Sequence, residues 1–137
     1  MSKDLEEILL NMCKYNPDDY YEYDADILKD KNDFIIVTGI VKTINTVWEV
    51  DEKTYIPTDI TKIPDVKKYN NIANTIDKER NATPPEIHFG NPDRNQILYF
   101  ANGRNVFAHL RNSNAETIPI MIYRYEEAEF REFEFIL

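Results

Sequence analysis

The chain has 137 residues, 42% of them hydrophobic, and a formal net charge of −9, which is enough material for a real core in one compact domain. Only 3 glycines stand beside 9 tyrosines and 7 phenylalanines, which excludes a low-complexity or disordered chain, and no run of about 18 apolar residues offers a membrane span. Cys13 is the only cysteine, so there is no internal disulfide framework and no cysteine metal cluster.

The start, Lys3-Asp4-Leu5-Glu6-Glu7, is acidic where a secretory leader needs basic and then apolar residues, and a cytoplasmic location is expected. Leu5, Ile8, Leu9 and Met12 recur at helical spacing, with Ser2 as cap and Asn16-Pro17-Asp18 as terminator. On that helix Cys13 reads as a small buried hydrophobe. Acids and tyrosines then interleave through Asp18, Asp19, Tyr20, Tyr21, Glu22, Tyr23, Asp24 and Asp26. Large rigid side chains beside carboxylates make good contact material for a basic partner. A divalent cation is the weaker reading of the same run, because no glycine-turned calcium loop is present. No metal site is assigned.

The β-branched run 33–41 predicts a strand, and Thr46-Val47-Trp48-Glu49-Val50 predicts its neighbour, with Trp48 in the core. Ile63-Pro64-Asp65 opens a helix on which Val66, Tyr69, Ala73 and Ile76 share a face. Pro84-Pro85 stops it and launches the strand Glu86-Ile87-His88-Phe89, and Gly90-Asn91-Pro92-Asp93 is a turn by composition. The strand Gln96–Ala101 runs through Asn102-Gly103 into a helix carrying Arg104, Asn105 and Arg111, and Thr117–Tyr123 is the next strand. Such a junction presents free backbone N–H groups, a good place for an anion. Phe133, Phe135 and Leu137 alternate with polar and apolar neighbours and predict a last strand with one buried face. Helices and strands alternate throughout, which makes the fold class α+β, one mixed-sheet domain over residues 1–137.

The order Pro84-Pro85-Glu86-Ile87, Ile97-Leu98-Tyr99-Phe100, Asn102–Leu110 and Glu116-Thr117-Ile118-Pro119-Ile120 resembles the ParB/sulfiredoxin-like superfamily. The motifs cover about residues 61–123. The resemblance implies a core of that type over about 46–123, with an N-terminal helix and strand added in an extension, 1–45. It also implies that Asn102, Gly103, Arg104, Asn105 and Arg111 hold a phosphate or nucleotide, the nucleotide bringing Mg2+ if one is used. Asn105-Val106 stands where the family has His or Arg followed by Arg, and valine cannot donate a hydrogen bond. Sulfiredoxin chemistry needs a cysteine beside the glycine, and Cys13 is far away in sequence. The chain also ends before the helix-turn-helix region that chromosome-partitioning members carry after this domain.

Charge sorts the remaining readings. Residues 61–111 hold eight lysines and arginines against five acids, a balance of +3, and the rest of the chain holds eight against twenty, a balance of −12. This argues against direct nucleic-acid binding, which needs many phosphate contacts. The first expectation is an acidic binding protein with a weakened nucleotide box, whose flanks engage or inhibit a basic protein. The alternative is a nucleotide-dependent enzyme, for NTP hydrolysis, phosphoryl transfer or nuclease chemistry, using the Asn102–Arg104 turn. His88 and His109 read as surface histidines, with a His109 pairing to Asp93 or Glu86 as the acid–base alternative.

Overall fold

The computed structural model describes residues 3–19, 34–94 and 96–137. In chain order it holds helix α1 (Lys3–Cys13), strand β1 (Phe34–Ile40), helices α2 (Val41–Trp48) and α3 (Val66–Glu79), and strands β2 (Glu86–Phe89) and β3 (Leu98–Asn102). Helix α4 (Arg104–Asn112), strand β4 (Thr117–Tyr123) and helix α5 (Glu127–Glu132) complete it. The strands form one mixed sheet in the order β1-β4-β2-β3. The β1/β4 pair is antiparallel from Phe34 opposite Tyr123 to Ile40 opposite Thr117, β2/β4 is parallel, and β2/β3 is antiparallel. The fold class is α+β, as the alternation of elements predicts.

Alternation along the strands sends side chains to opposite sheet faces. Ile87, Leu98, Ile118, Ile120 and Ile122 join Trp48, Phe107 and Leu110 in the main core. Phe34 and Met121 form a smaller cluster with Tyr15, Ile36 and Tyr123. In α1, Leu5, Ile8 and Met12 are buried, whereas Cys13 is exposed, because it falls off that stripe. Ser2, the expected cap, lies outside the described residues. The helix ends at Cys13, and Pro17–Asp19 forms a separate 3-10 turn. Helix α3 starts at Asp65, whose carboxylate accepts from the Lys68 N–H, and buries Tyr69, Ala73 and Ile76, while Val66 stays exposed. It ends before Pro84-Pro85, at Arg80, which adopts φ 54° and ties Asp4 and Glu7 of α1 through its guanidinium, both at 2.9 Å.

Two expected strands do not form: the first is mostly helix, and the second is turn and a single bridge after α5. Residues 46–50 do not pair with β1: Val41, Ile44 and Trp48 lie at helical spacing and are all buried, and that apolar face outweighs the β-branching of Thr46 and Val47. The strand passes into α2 without a loop, and the Val41 N–H is taken by the Glu116 carbonyl at 3.0 Å. Near the C-terminus, α5 buries Phe130, and then Phe135 and Ile136 turn inward while Phe133 and Leu137 stay exposed. Only a single bridge, Gly39 opposite Ile136, pairs this tail with the sheet among the described residues. A positive φ at Glu134, 62°, breaks the alternation.

Candidate functional site: the cavity at the start of helix α4

Gly103 makes the turn from β3 into α4. Its φ is +82°, and a Cβ there would lie 2.8 Å from the Pro85 Cα, so the position needs glycine both for its backbone angle and for the close approach of the proline segment. The helical ladder begins where the Phe107 N–H meets the Gly103 carbonyl at 3.0 Å. The N–H groups of Arg104, Asn105 and Val106 precede that bond and carry the positive end of the helix dipole.

Three hollows meet at this turn. A cavity of about 320 Å³ is lined by Lys68 and Ile72 of α3, Phe100–Asn102 of β3, and Gly103–Val106. Beside it, a hollow of about 90 Å³ adds Lys53, Thr54, Tyr55 and Asp65, and shares Lys68, Arg104 and Asn105. A third, of about 220 Å³, lies behind Gly103 against Tyr15, Thr83 and Pro84. Lys53, Lys68 and Arg104 are exposed and form no ion pair among the described residues. Asp65 is the one carboxylate on these linings among the described residues, and it is engaged at the α3 N-terminus.

Asn105 is the informative side chain. It is only 9% exposed, lines both of the first two hollows, and its amide makes no hydrogen bond among the described residues. The amide is open to the cavity, where it can meet water or a polar ligand. Asn102, Gly103, Arg104 and Asn105 are therefore brought together.

Arg111 is not among them. Two helical turns further along α4, it is 8% exposed and packs over the rings of Trp48 and Tyr55, at 5.8 and 5.5 Å from their centroids. It donates to Asn45 Oδ1 at 2.9 Å and to Asn112 Oδ1 at 3.1 Å, and burial holds its pKa below the usual arginine value. Lys53, Lys68 and Tyr55 are lining residues that no local motif marks. Their only signal in the chain was the basic balance of 61–111 for Lys68.

The histidines also differ from expectation. His109 faces Asp77 of α3 at 2.8 Å, not Asp93 or Glu86. His88 is buried at 2% exposure, with its ring nitrogens on Glu86 and, at 3.3 Å, Glu126. The i, i+2 spacing of Glu86 and His88 in a strand was the available signal. Of the acid–tyrosine run, Asp18 and Asp19 are exposed on their 3-10 turn, and Tyr20, Tyr21, Glu22, Tyr23, Asp24 and Asp26 lie outside the described residues. Among the described residues, no group of three or more His, Cys, Asp or Glu side chains is arranged to hold a metal ion. No described helix is long and apolar enough to cross a membrane.

A further groove, about 390 Å³, lies between α1 and the β1/β4 pair. Its lining is mostly apolar, and among the described residues Glu6 is its one charged group, so these residues do not offer the convergent polar groups that orient a small ligand. No protein-family model, curated protein or solved structure matches this chain.

Proposed function

We propose that the protein is a binding module for a phosphorylated ligand of the nucleotide class, seated at the Asn102–Val106 turn. The observation that carries this reading is Asn105: a side chain only 9% exposed whose amide makes no hydrogen bond among the described residues and opens on a cavity rimmed by Lys68 and Arg104. Backbone N–H groups and the helix dipole supply anion affinity, and Arg104 adds a two-pronged donor. Lys53 and Lys68 fit the further charge of a di- or triphosphate, and Tyr55 offers an aromatic edge to the rest of the ligand. Where Mg2+ accompanies the nucleotide, its oxygens come chiefly from the phosphates and water.

The ParB/sulfiredoxin-like resemblance agrees with a phosphate at this turn and is itself part of the proposal. Binding rather than turnover is favoured because Val106 supplies no charge where phosphoryl transfer depends on neutralising it. Engagement of a basic protein partner by the acidic flanks is a second reading. It rests on the −12 balance of those flanks.

Thermal unfolding with ATP, CTP or GTP plus Mg2+ tests the primary reading. A ligand at about 100 times its Kd adds about 2.7 kcal/mol. Stabilisation by at least one nucleotide that disappears in Arg104→Ala is expected. No response to any of them, together with a basic protein that co-purifies at low salt and is lost at high salt, would move the conclusion to the second reading.

A further inference from the structure

The segment between α2 and α3 carries Lys53 and Tyr55 to the cavity, and buried groups hold it from behind. Asp51, 7% exposed, follows α2, and its N–H meets the Trp48 carbonyl at 2.9 Å. Its own carbonyl accepts from the N–H groups of Thr54 at 3.3 Å and Tyr55 at 2.9 Å, which closes residues 51–55 into a tight turn. The Asp51 side chain adds two bonds. Its Oδ2 accepts from the Thr54 hydroxyl at 2.6 Å and from the amide of Gln96, just ahead of β3, at 3.3 Å. The same hydroxyl accepts from the Trp48 indole N–H at 3.1 Å.

Donor counting makes Thr54 informative. An indole offers only a donor, Oδ2 of Asp51 is the acceptor in both of its bonds, and a hydroxyl fills both roles and joins them. Trp48 is fully buried, with the rings of Phe100, Tyr55 and Phe107 at 4.6, 4.9 and 5.8 Å, so the turn is tied to a fixed point of the core. Arg111 covers the rings of both Trp48 and Tyr55. Lys53 thus leaves the chain from a backbone anchored at Asp51 before it and at Thr54 and Tyr55 after it. Its ammonium, exposed and without an ion pair among the described residues, is held near the cavity at a reduced cost in freedom.

The cations then have an order along the cavity. A first phosphate at the α4 turn is the premise on which this inference rests. The adjoining hollow of about 90 Å³ shares Lys68, Arg104 and Asn105 with that turn and adds Lys53, Thr54 and Tyr55. The one carboxylate on its lining among the described residues, Asp65, is engaged by the Lys68 N–H. A second phosphoryl group joined to the first enters a place where cations outnumber acids, and a monophosphate leaves that place unused. We infer that Asp51 and Thr54 are positioning residues that hold Lys53 at the cavity, so that the site prefers ligands with two or more phosphates over monophosphates.

Inorganic phosphate and inorganic triphosphate, titrated into the 15N-labelled protein and followed at the Arg104–Val106 amides, test it without a base in the ligand. The wild type should bind triphosphate more tightly, and Lys53→Ala should lower that preference about three- to fivefold, the size of one exposed charge pair. Thr54→Val keeps the branched shape without the hydroxyl and should lower it by a similar factor, while Thr54→Ser should keep it. In the Lys53→Ala background Thr54→Val should change nothing further, a result that a purely structural role does not produce. The Trp48 indole N–H signal should move in Thr54→Val and stay in place in Thr54→Ser, with or without anion. Gln96→Ala, at a half-buried position, serves if Thr54→Val does not fold, and should lower the preference about twofold through the loss of one bond to Asp51. Triphosphate binding at the turn with an unchanged preference in these variants, or additive effects of Lys53→Ala and Thr54→Val, would overturn the positioning role and leave the phosphate site standing. No response of these amides to either anion would remove the phosphate site, and this inference with it.

Discussion

The two polar clusters differ in what satisfies their atoms. At the α4 turn, Arg104, Lys68 and Lys53 are exposed, the Asn105 amide makes no hydrogen bond among the described residues, and open space lies in front of them. Around His88, each ring nitrogen already meets a carboxylate, and aromatic rings close the space. A buried cluster whose polar groups pair with one another serves the fold, whereas polar groups left open on a cavity are available to a partner from outside. The two arginines of α4 differ in exposure: Arg104 faces the cavity, and Arg111 is sunk against Trp48 and Tyr55, with its Nη2 buried and without a hydrogen-bond partner among the described residues.

Mutations can sharpen or break that comparison. His88→Ala should cost the most, about 3–5 kcal/mol in urea unfolding, because Glu86 and Glu126 are left near each other without the imidazole between them. A loss under about 1 kcal/mol would show that the cluster is not holding the fold. Gly103→Ala comes next. The left-handed angle and the approach to Pro85 should cost about 1–3 kcal/mol, and the ligand response should be lost with the turn geometry. Unchanged stability would mean that the turn relaxes freely.

Arg111→Met should fall within about 1 kcal/mol of the wild type in either direction, since an apolar chain of similar length replaces a buried cation that has no carboxylate partner among the described residues. It should leave nucleotide binding intact. An Arg111→Met variant that folds normally but fails to bind would return Arg111 to the site. Arg104→Ala should have the smallest effect on stability, within about 0.5 kcal/mol, while weakening phosphate binding at least tenfold, or about 1.4 kcal/mol. Equal binding by the wild type and Arg104→Ala would break the contrast between the two ends of α4.

Periodicity and turn chemistry made much of the fold legible. Asp65 capping α3, Gly103 opening α4, and the β-branched runs of β1 and β4 are local signals that the tertiary structure follows. Segments 46–50 and 133–137 misled for opposite reasons. In the first, a helical face formed by Val41, Ile44 and Trp48 overrides local β preference. In the second, a left-handed residue at Glu134 interrupts an alternating pattern and puts Phe135 and Ile136 both inside. The Asn102–Asn105 turn could be found because its members are adjacent in the chain. Lys53, Lys68 and Tyr55 reach it from two other segments, and Glu126 reaches His88 from 38 residues away, so only the folded chain could reveal them.

A titration of the 15N-labelled protein with nucleotide, followed by backbone amide shifts, tests the central claim most directly. Binding at the α4 turn predicts that the amides of Arg104, Asn105 and Val106 and the side-chain amide of Asn105 move first and saturate together, with those near His88 unmoved. Shifts confined to other surfaces, or none at millimolar nucleotide (about 4 kcal/mol of affinity), would contradict it.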